Sequence, residues 1–297
     1  MPVPRKILIR VIGAPLLVAA LCGIIYWGHT LQSHGKQNTP LQVLLLVVSV
    51  LCGVELYAMC AAKGIATARI AGLVAIAAYF APALPSGADV SLGSLKITPL
   101  SWIYGNLLLY LLFKMVFRYG KLTPEGAALT FFGFEYITLL SYVTGLPGLP
   151  GSAHAYYLLF LLAAGKGSDM AAFVVGKSMG KHKMTPVVSP NKTWEGGIAG
   201  GIVGMGAGLA VLLATPLRQA YVGVPIVALL FFCLMVTIAA QVGDLIKSAF
   251  KRWAGVKDSG RILPEFGGML DMVDSFIIAA PVAVLGTRLL NALFKGS

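Results

Sequence analysis

Apolar stretches of about 20 residues alternate along this chain with short polar joints, and the joints grow richer in charge toward the C-terminus. Each stretch is long enough to cross a hydrocarbon core of roughly 30 Å as a helix. Lipid offers bare backbone no hydrogen bonds, so the stretches predict helices packed as a bundle. The spans fall at about 8–27, 41–61, 65–84, 97–116, 124–144, 154–176, 197–216, 220–246 and 274–293. The expected fold is an all-α, polytopic membrane helix bundle with about nine transmembrane helices. Residues 1–120 supply chemically quiet N-terminal helices, and residues 121–297 form a C-terminal transmembrane region that carries the polar groups.

Composition agrees: 58% of the residues are hydrophobic and 11% charged, which excludes a soluble globular protein. A formal charge of +12 would suggest a nucleic-acid binder if position were ignored. With the N-terminus placed in the cytoplasm, 17 Lys and Arg fall on the inner side and 4 on the outer. That asymmetry is what the positive-inside rule requires of an N-in, C-out topology. The cations therefore cover a cytoplasmic surface that attracts anionic lipids and nucleotides, and no nucleic-acid partner is implied. Cys22, Cys52, Cys60 and Cys233 lie inside apolar segments and read as packing residues. The first segment starts with Arg5, Lys6 and Arg10, but no small-x-small cleavage site follows and Leu21 before Cys22 spoils a lipoprotein site. It reads as a retained first helix.

Glu55 interrupts an apolar span, either as a hydrogen-bonded interhelical carboxyl or as part of a lipid or ion pocket, and Glu135 poses the same question. In the sixth span Lys166 and Asp169 are three residues apart on one face, so they can pair within the membrane. His182, between lysines, reads as a solvated or lipid-phosphate contact before it reads as a catalyst. The run Ser189–Gly197 (SPNKTWEGG) predicts a turn with Thr193 as N-cap of the next helix. A turn bearing hydroxyls and Lys192 before a helix N-terminus suits phosphate oxygens, and an ordinary loop–helix junction fits as well. The seventh span opens with Gly196, Gly197, Gly200, Gly201, Gly204 and Gly208, a small-xxx-small stripe for internal packing or a homodimer seam.

Chemistry concentrates in Gly243–Ser275, where Asp244, Asp258, Asp271 and Asp274 meet Lys247, Lys251, Arg252, Lys257 and Arg261. Asp244, Lys247, Ser248 and Lys251 follow i, i+3, i+4, i+7 and share one helix face. Asp271 and Asp274, three apart, open the last span, where the helix dipole alone would favour them. Two carboxylates facing one way, with Asp244 across a returning loop, better fit a hard cation such as Mg²⁺, which takes a few carboxylates, waters and substrate phosphates. The cations between them suit the remaining phosphate charge.

Two stretches, KGSDMAAFVVGKSMGKHKMTPVVSPNKTWEGG and GDLIKSAFKRWAGVKDSGRILPEFGGMLDMVDS, resemble the phosphatidate cytidylyltransferase (CDP-diacylglycerol synthase) family. Its C-terminal signature, S-x-x-K-R-x4-K-D-x-G, then a P-G-H-G-G-like turn and D-R-x-D-S, is matched through Ser248, Lys251, Arg252, Lys257, Asp258, Gly260, Gly267, Gly268, Asp271, Asp274 and Ser275. The likeness covers about residues 154–276. The chain departs at Phe266, where the signature has histidine, at Met272 for arginine, and at Asn191 for lysine.

The resemblance implies a bacterial inner-membrane enzyme that makes CDP-diacylglycerol and pyrophosphate from CTP and phosphatidic acid, with its site facing the cytoplasm. It implies Mg²⁺, alone or with a second cation, on Asp244, Asp271 and Asp274, with Lys251 and Arg252 among the catalytic groups. Lys247, Ser248, Lys257, Asp258 and Arg261 would bind substrate phosphates. Ser189, Lys192 and Thr193 would close the nucleotide side, supported by Asp169 and Lys166. The loss of arginine at Met272 keeps open transfer to another lipid phosphate, isoprenoid or ether-linked. From a different class, an ion or anion transporter could also use intramembrane Asp and Lys.

Overall fold

The computed structural model describes residues 39–81, 90–92, 95–97, 99–117, 122–144, 153–260 and 267–294. Eight α-helices occur among them: α1 (Thr39–Ala62), α2 (Arg69–Phe80), α3 (Pro99–Phe117), α4 (Pro124–Thr138), α5 (Ala153–Met179), α6 (Trp194–Ala214), α7 (Ile226–Trp253) and α8 (Met269–Phe294). Six segments are long and apolar enough to cross a membrane, while Arg69–Phe80 and Ile103–Phe117 are shorter. The expected span at 8–27 lies outside the described residues. The expectation of an all-α polytopic bundle holds, and the chain is an integral membrane protein.

Local chemistry sets several helix starts. The Thr123 hydroxyl accepts from the N–H of Gly126 (3.1 Å) at the head of α4, where Pro124 has no N–H in need of an acceptor. Thr193 does the same for α6 through Gly196 (3.2 Å), as expected. The turn ahead of it differs from expectation. Ser189–Thr193 is a strand, β4, paired antiparallel with β3 (Lys183–Thr185), and the turn lies at 186–188. A second ribbon pairs β1 (Val90–Leu92) with β2 (Leu95–Ile97).

Helices α5 and α6 form a tightly packed antiparallel pair. A Cβ on Gly196, Gly200 or Gly204 would approach the main-chain oxygen of Ala172 (2.6 Å), Ser168 (2.8 Å) or Ala164 (2.6 Å), and one on Gly208 would meet the Phe160 ring. The glycine stripe is thus used within the chain against α5, which resolves the choice between internal packing and a homodimer seam for that face. Helices α7 and α8 pack on this pair and on each other, and α1 reaches α8 from the other side, alongside α2 and α4. Tyr157 in α5 donates to the Ala280 carbonyl of α8 (3.1 Å), and Phe160 stacks on Phe232 of α7. Cys52, Cys60 and Cys233 are free thiols in the buried core, as expected of packing residues. Outward faces carry Phe113, Phe117, Val227, Phe231, Leu285 and Leu289, apolar surface that suits lipid and not water.

Candidate active site

The polar groups of α7 and α8 meet where the two helices approach tightly at Gly243. A Cβ on Gly243 would lie 2.5 Å from the main-chain oxygen of Asp274, so only glycine allows this approach. It brings Asp244, on α7, beside Asp271 and Asp274, in the first turns of α8. At their centre stands Lys247, one helical turn after Asp244 and 5% exposed. Its Nζ lies 2.9 Å from Asp244 Oδ1, 3.1 Å from Asp271 Oδ1, and within hydrogen-bond reach of Asp274 Oδ2. A buried ammonium is tolerable only when its charge and donors are matched, and three carboxylates match them.

Two further lysines flank the cluster. Lys192, from β4, places Nζ 2.6 Å from Asp244 Oδ2, and Lys251, one turn beyond Lys247, lies 2.7 Å from Asp271 Oδ1. Asp271 Oδ2 accepts from Ser259 Oγ (2.8 Å), Ser259 N (3.3 Å) and Gly268 N (3.2 Å). Asp274 Oδ1 accepts from Ser275 N (2.6 Å) and Ser275 Oγ (3.0 Å). Every oxygen of the three carboxylates therefore has a donor. The loop between the helices turns at Gly267, whose φ of +87° favours glycine.

Asp244 also borders a cavity of about 250 Å³, lined with Asp169, Lys192, Thr193, Gly197 and Gln241 among others. That is below the roughly 300–1,000 Å³ of pockets that enclose a drug-sized molecule, so it can take only part of a nucleotide. Gln241 fixes one wall by donating to Ser168 Oγ (2.8 Å) and to the Gly197 carbonyl (3.0 Å).

Of the residues expected from sequence, Asp244, Lys247, Lys251, Asp271, Asp274 and Lys192 are brought together. Asp169 lines the cavity and pairs with Lys166 at 3.6 Å, as its spacing requires. Thr193 lines the cavity too, but its hydroxyl caps α6. Ser189 lies in β4 opposite Thr185. Arg252 stands apart from the cluster: its Nε donates to the Val188 carbonyl (3.2 Å) and ties the hairpin turn to the end of α7. Ser248 is half-buried on α7, while Lys257 and Asp258 are exposed at the loop, where neither makes an ion pair among the described residues. Arg261 and Phe266 lie outside the described residues. His182 is exposed and pairs with Glu195 (Nδ1 to Oε1, 2.6 Å), in keeping with a surface role.

A divalent cation is tested by the same donors. Three carboxylates from two helices converging on one point have the chemistry and number that a hard cation takes. That point is held by the Lys247 ammonium, and among the described residues no group of three His, Cys, Asp or Glu side chains stands ready for a metal. The carboxylates thus have the chemistry a hard cation takes, and Lys247 holds the point on which they converge. Sequence reasoning missed Gln241, Ser259 and the placement of Glu55. Only for Glu55 was there a signal, a lone carboxylate in an apolar span.

A model described as the cytidylyltransferase family matches residues 8–290. Curated relatives include the phosphatidate cytidylyltransferase of Staphylococcus saprophyticus, 39% identical over 150 residues, covering 50% of this chain and 52% of the relative. That of Bacillus subtilis is 44% identical over 126 residues (42% of this chain, 45% of the relative). That of Staphylococcus aureus is 42% identical over 144 residues (48% and 50%). The chain spans about half the length of the curated relatives it matches.

Proposed function

The chain belongs to the cytidylyltransferase family, and from that premise we propose that it is a CTP:phosphatidate cytidylyltransferase, making CDP-diacylglycerol and pyrophosphate. The observation that carries this reading is the cluster of three carboxylates and three lysines at the wall of a cavity sized for part of a nucleotide.

A phosphatidate oxygen attacks the α-phosphorus of CTP, a P–O bond forms, and the bond to the leaving pyrophosphate breaks. A phosphate monoester has a second pKa of about 6 and is largely dianionic at neutral pH, so the nucleophile needs no strong base. The absence of histidine at position 266 then costs nothing. What remains is to bring two polyanions together and to stabilise the charge that collects on pyrophosphate.

Here the charge balance is informative. Asp244, Asp271 and Asp274 offset Lys192, Lys247 and Lys251 one for one, so an incoming triphosphate finds no uncommitted ammonium in the cluster. Mg²⁺, held by Asp244, Asp271 and Asp274, would neutralise phosphate charge and polarise the reacting phosphoryl group. Lys192, Lys247 and Lys251 would then give their N–H donors to phosphate oxygens. Lys257, exposed beyond the end of α7, adds positive charge there, and the family resemblance gives Arg261 the same task. On this reading the site faces the cytoplasm, which the tally of 17 basic residues against 4 supports.

Purified protein given CTP, phosphatidic acid and Mg²⁺ is expected to release pyrophosphate, and Asp274→Asn to stop it. No product with any phospholipid acceptor, or full activity in the Asp274→Asn protein, would sink the enzyme reading.

A further inference from the structure

Glu55 belongs to α1, in the part of the chain whose sequence is chemically quiet, yet it is 3% exposed and fully engaged with the α7–α8 connection. Oε1 accepts from Met269 N at 2.8 Å and Oε2 from Leu270 N at 2.9 Å. The first N–H groups of a helix have no partner within it, and a carboxylate there also meets the positive end of the helix dipole. Glu55 therefore caps α8 from another helix.

The same carboxylate reaches the cluster through a serine. Ser259 Oγ lies 3.1 Å from Glu55 Oε2 and 2.8 Å from Asp271 Oδ2. A hydroxyl has one proton, so it serves one carboxylate at a time, and the other carboxylate is held by main-chain N–H groups. With Oδ2 fixed by Ser259 and Gly268, Asp271 presents Oδ1 to Lys247 and Lys251. Gly260 and Gly268 leave room for this arrangement, since a Cβ at either would overlap the Glu55 carboxylate.

We propose that Glu55 is a positioning residue, which holds the α8 N-terminus and Ser259 and so aims the Asp271 carboxylate at Lys247 and Lys251. The proposal rests on the reaction assigned above, and small misplacements of such a group are expensive, since about 1 Å can cost roughly 100-fold in rate. A cap that served folding alone would lower thermal stability without a specific effect on turnover.

Glu55→Gln, Ser259→Ala and the double variant, each in the full chain in detergent, separate the two roles. Gln keeps the shape but turns an N–H₂ toward one of the two main-chain donors. Expected is a loss of about tenfold in kcat for each single variant, with KM for CTP within about twofold. The double variant should be no worse than the weaker single, because residues acting as one unit do not multiply. Amide exchange at Met269 and Leu270 should rise about tenfold in Glu55→Gln. Wild-type kcat in Glu55→Gln, losses that multiply in the double variant, or unchanged exchange would each overturn the proposal. If Glu55→Gln does not fold, Ser259→Ala decides alone: lowered kcat at an unchanged Tm supports the relay through serine, and unaltered kcat overturns it. Wild-type protein without CTP-dependent pyrophosphate release would overturn the reaction, while exchange at residues 269 and 270 would still judge the cap.

Discussion

Lys192 and Asp244 join at the wall of the cavity, with Nζ 2.6 Å from Oδ2, one residue on the β3–β4 hairpin and the other on α7. Both side chains are about a quarter exposed (27% and 24%), so the pair is worth no more than about 1 kcal/mol to stability. Its lysine is the ammonium of the cluster nearest to solvent.

Lys192→Ala should therefore raise KM for CTP about tenfold, equivalent to about 1.4 kcal/mol of binding, and leave Tm nearly unaltered. Steady-state kinetics beside a thermal melt check this. An unchanged KM would remove Lys192 from the nucleotide side.

Lys247 should behave in the opposite way. Lys247→Met leaves three carboxylates facing one another without their buried counter-ion, a loss of about 3–5 kcal/mol. Tm should fall by roughly 10 °C, given about 2–4 °C per kcal/mol in chains of this size class. Added Mg²⁺ should raise Tm in the variant more than in the wild type, because it replaces the missing ammonium. Equal responses in a thermal melt with and without Mg²⁺ would show that the three carboxylates do not form a cation site.

Chelation of the wild-type protein gives a complementary result. EDTA should abolish pyrophosphate release, yet shift Tm by less than about 2 °C, since Lys192, Lys247 and Lys251 already satisfy the carboxylates and little metal-linked stability is lost. A large drop in Tm would mean that the metal, and not lysine, holds the folded cluster together.

The α5–α6 contact is tested with two glycines of one helix. A side chain at Gly200 meets the Ser168 carbonyl of α5 at 2.8 Å, so Gly200→Val should destabilise by about 1–3 kcal/mol or more. Gly206 has nothing within 4 Å, and Gly206→Ala should be neutral or stabilising by up to about 1 kcal/mol through helix propensity. Melting temperatures in one detergent compare them directly.

Periodicity in the sequence makes part of this site legible. Spacing of three and four residues put Asp244, Lys247 and Lys251 on one face, and Thr193 announced its helix by its residue type and position. What a single helix cannot reveal is what arrives from the next one. Spacing alone leaves Lys247 open to a phosphate, whereas Asp271 and Asp274 come from α8 to surround it. Arg252, one residue from Lys251, points elsewhere and binds the Val188 carbonyl, because a helix turns about 100° per residue. Glu55 and Ser259 are 204 residues apart in sequence, so local patterning carries no trace of their hydrogen bond. The short β3–β4 ribbon was equally hidden, since Ser-Pro marks a turn in most contexts and here it starts a strand.

The glycines of α6 have a mechanical consequence. At Gly196, Gly200 and Gly204 the helix rests against main-chain oxygens of α5, and the small side chains of Ser168 and Ala172 fill the space that remains beside Gly200. That side of the cavity is a stiff wall. Another side of the cavity is formed by the hairpin, which is fastened to α7 by the Lys192–Asp244 ion pair and by the Arg252–Val188 hydrogen bond. The hairpin is thus latched to α7, and the groups that fasten it include cations that an arriving polyphosphate would attract.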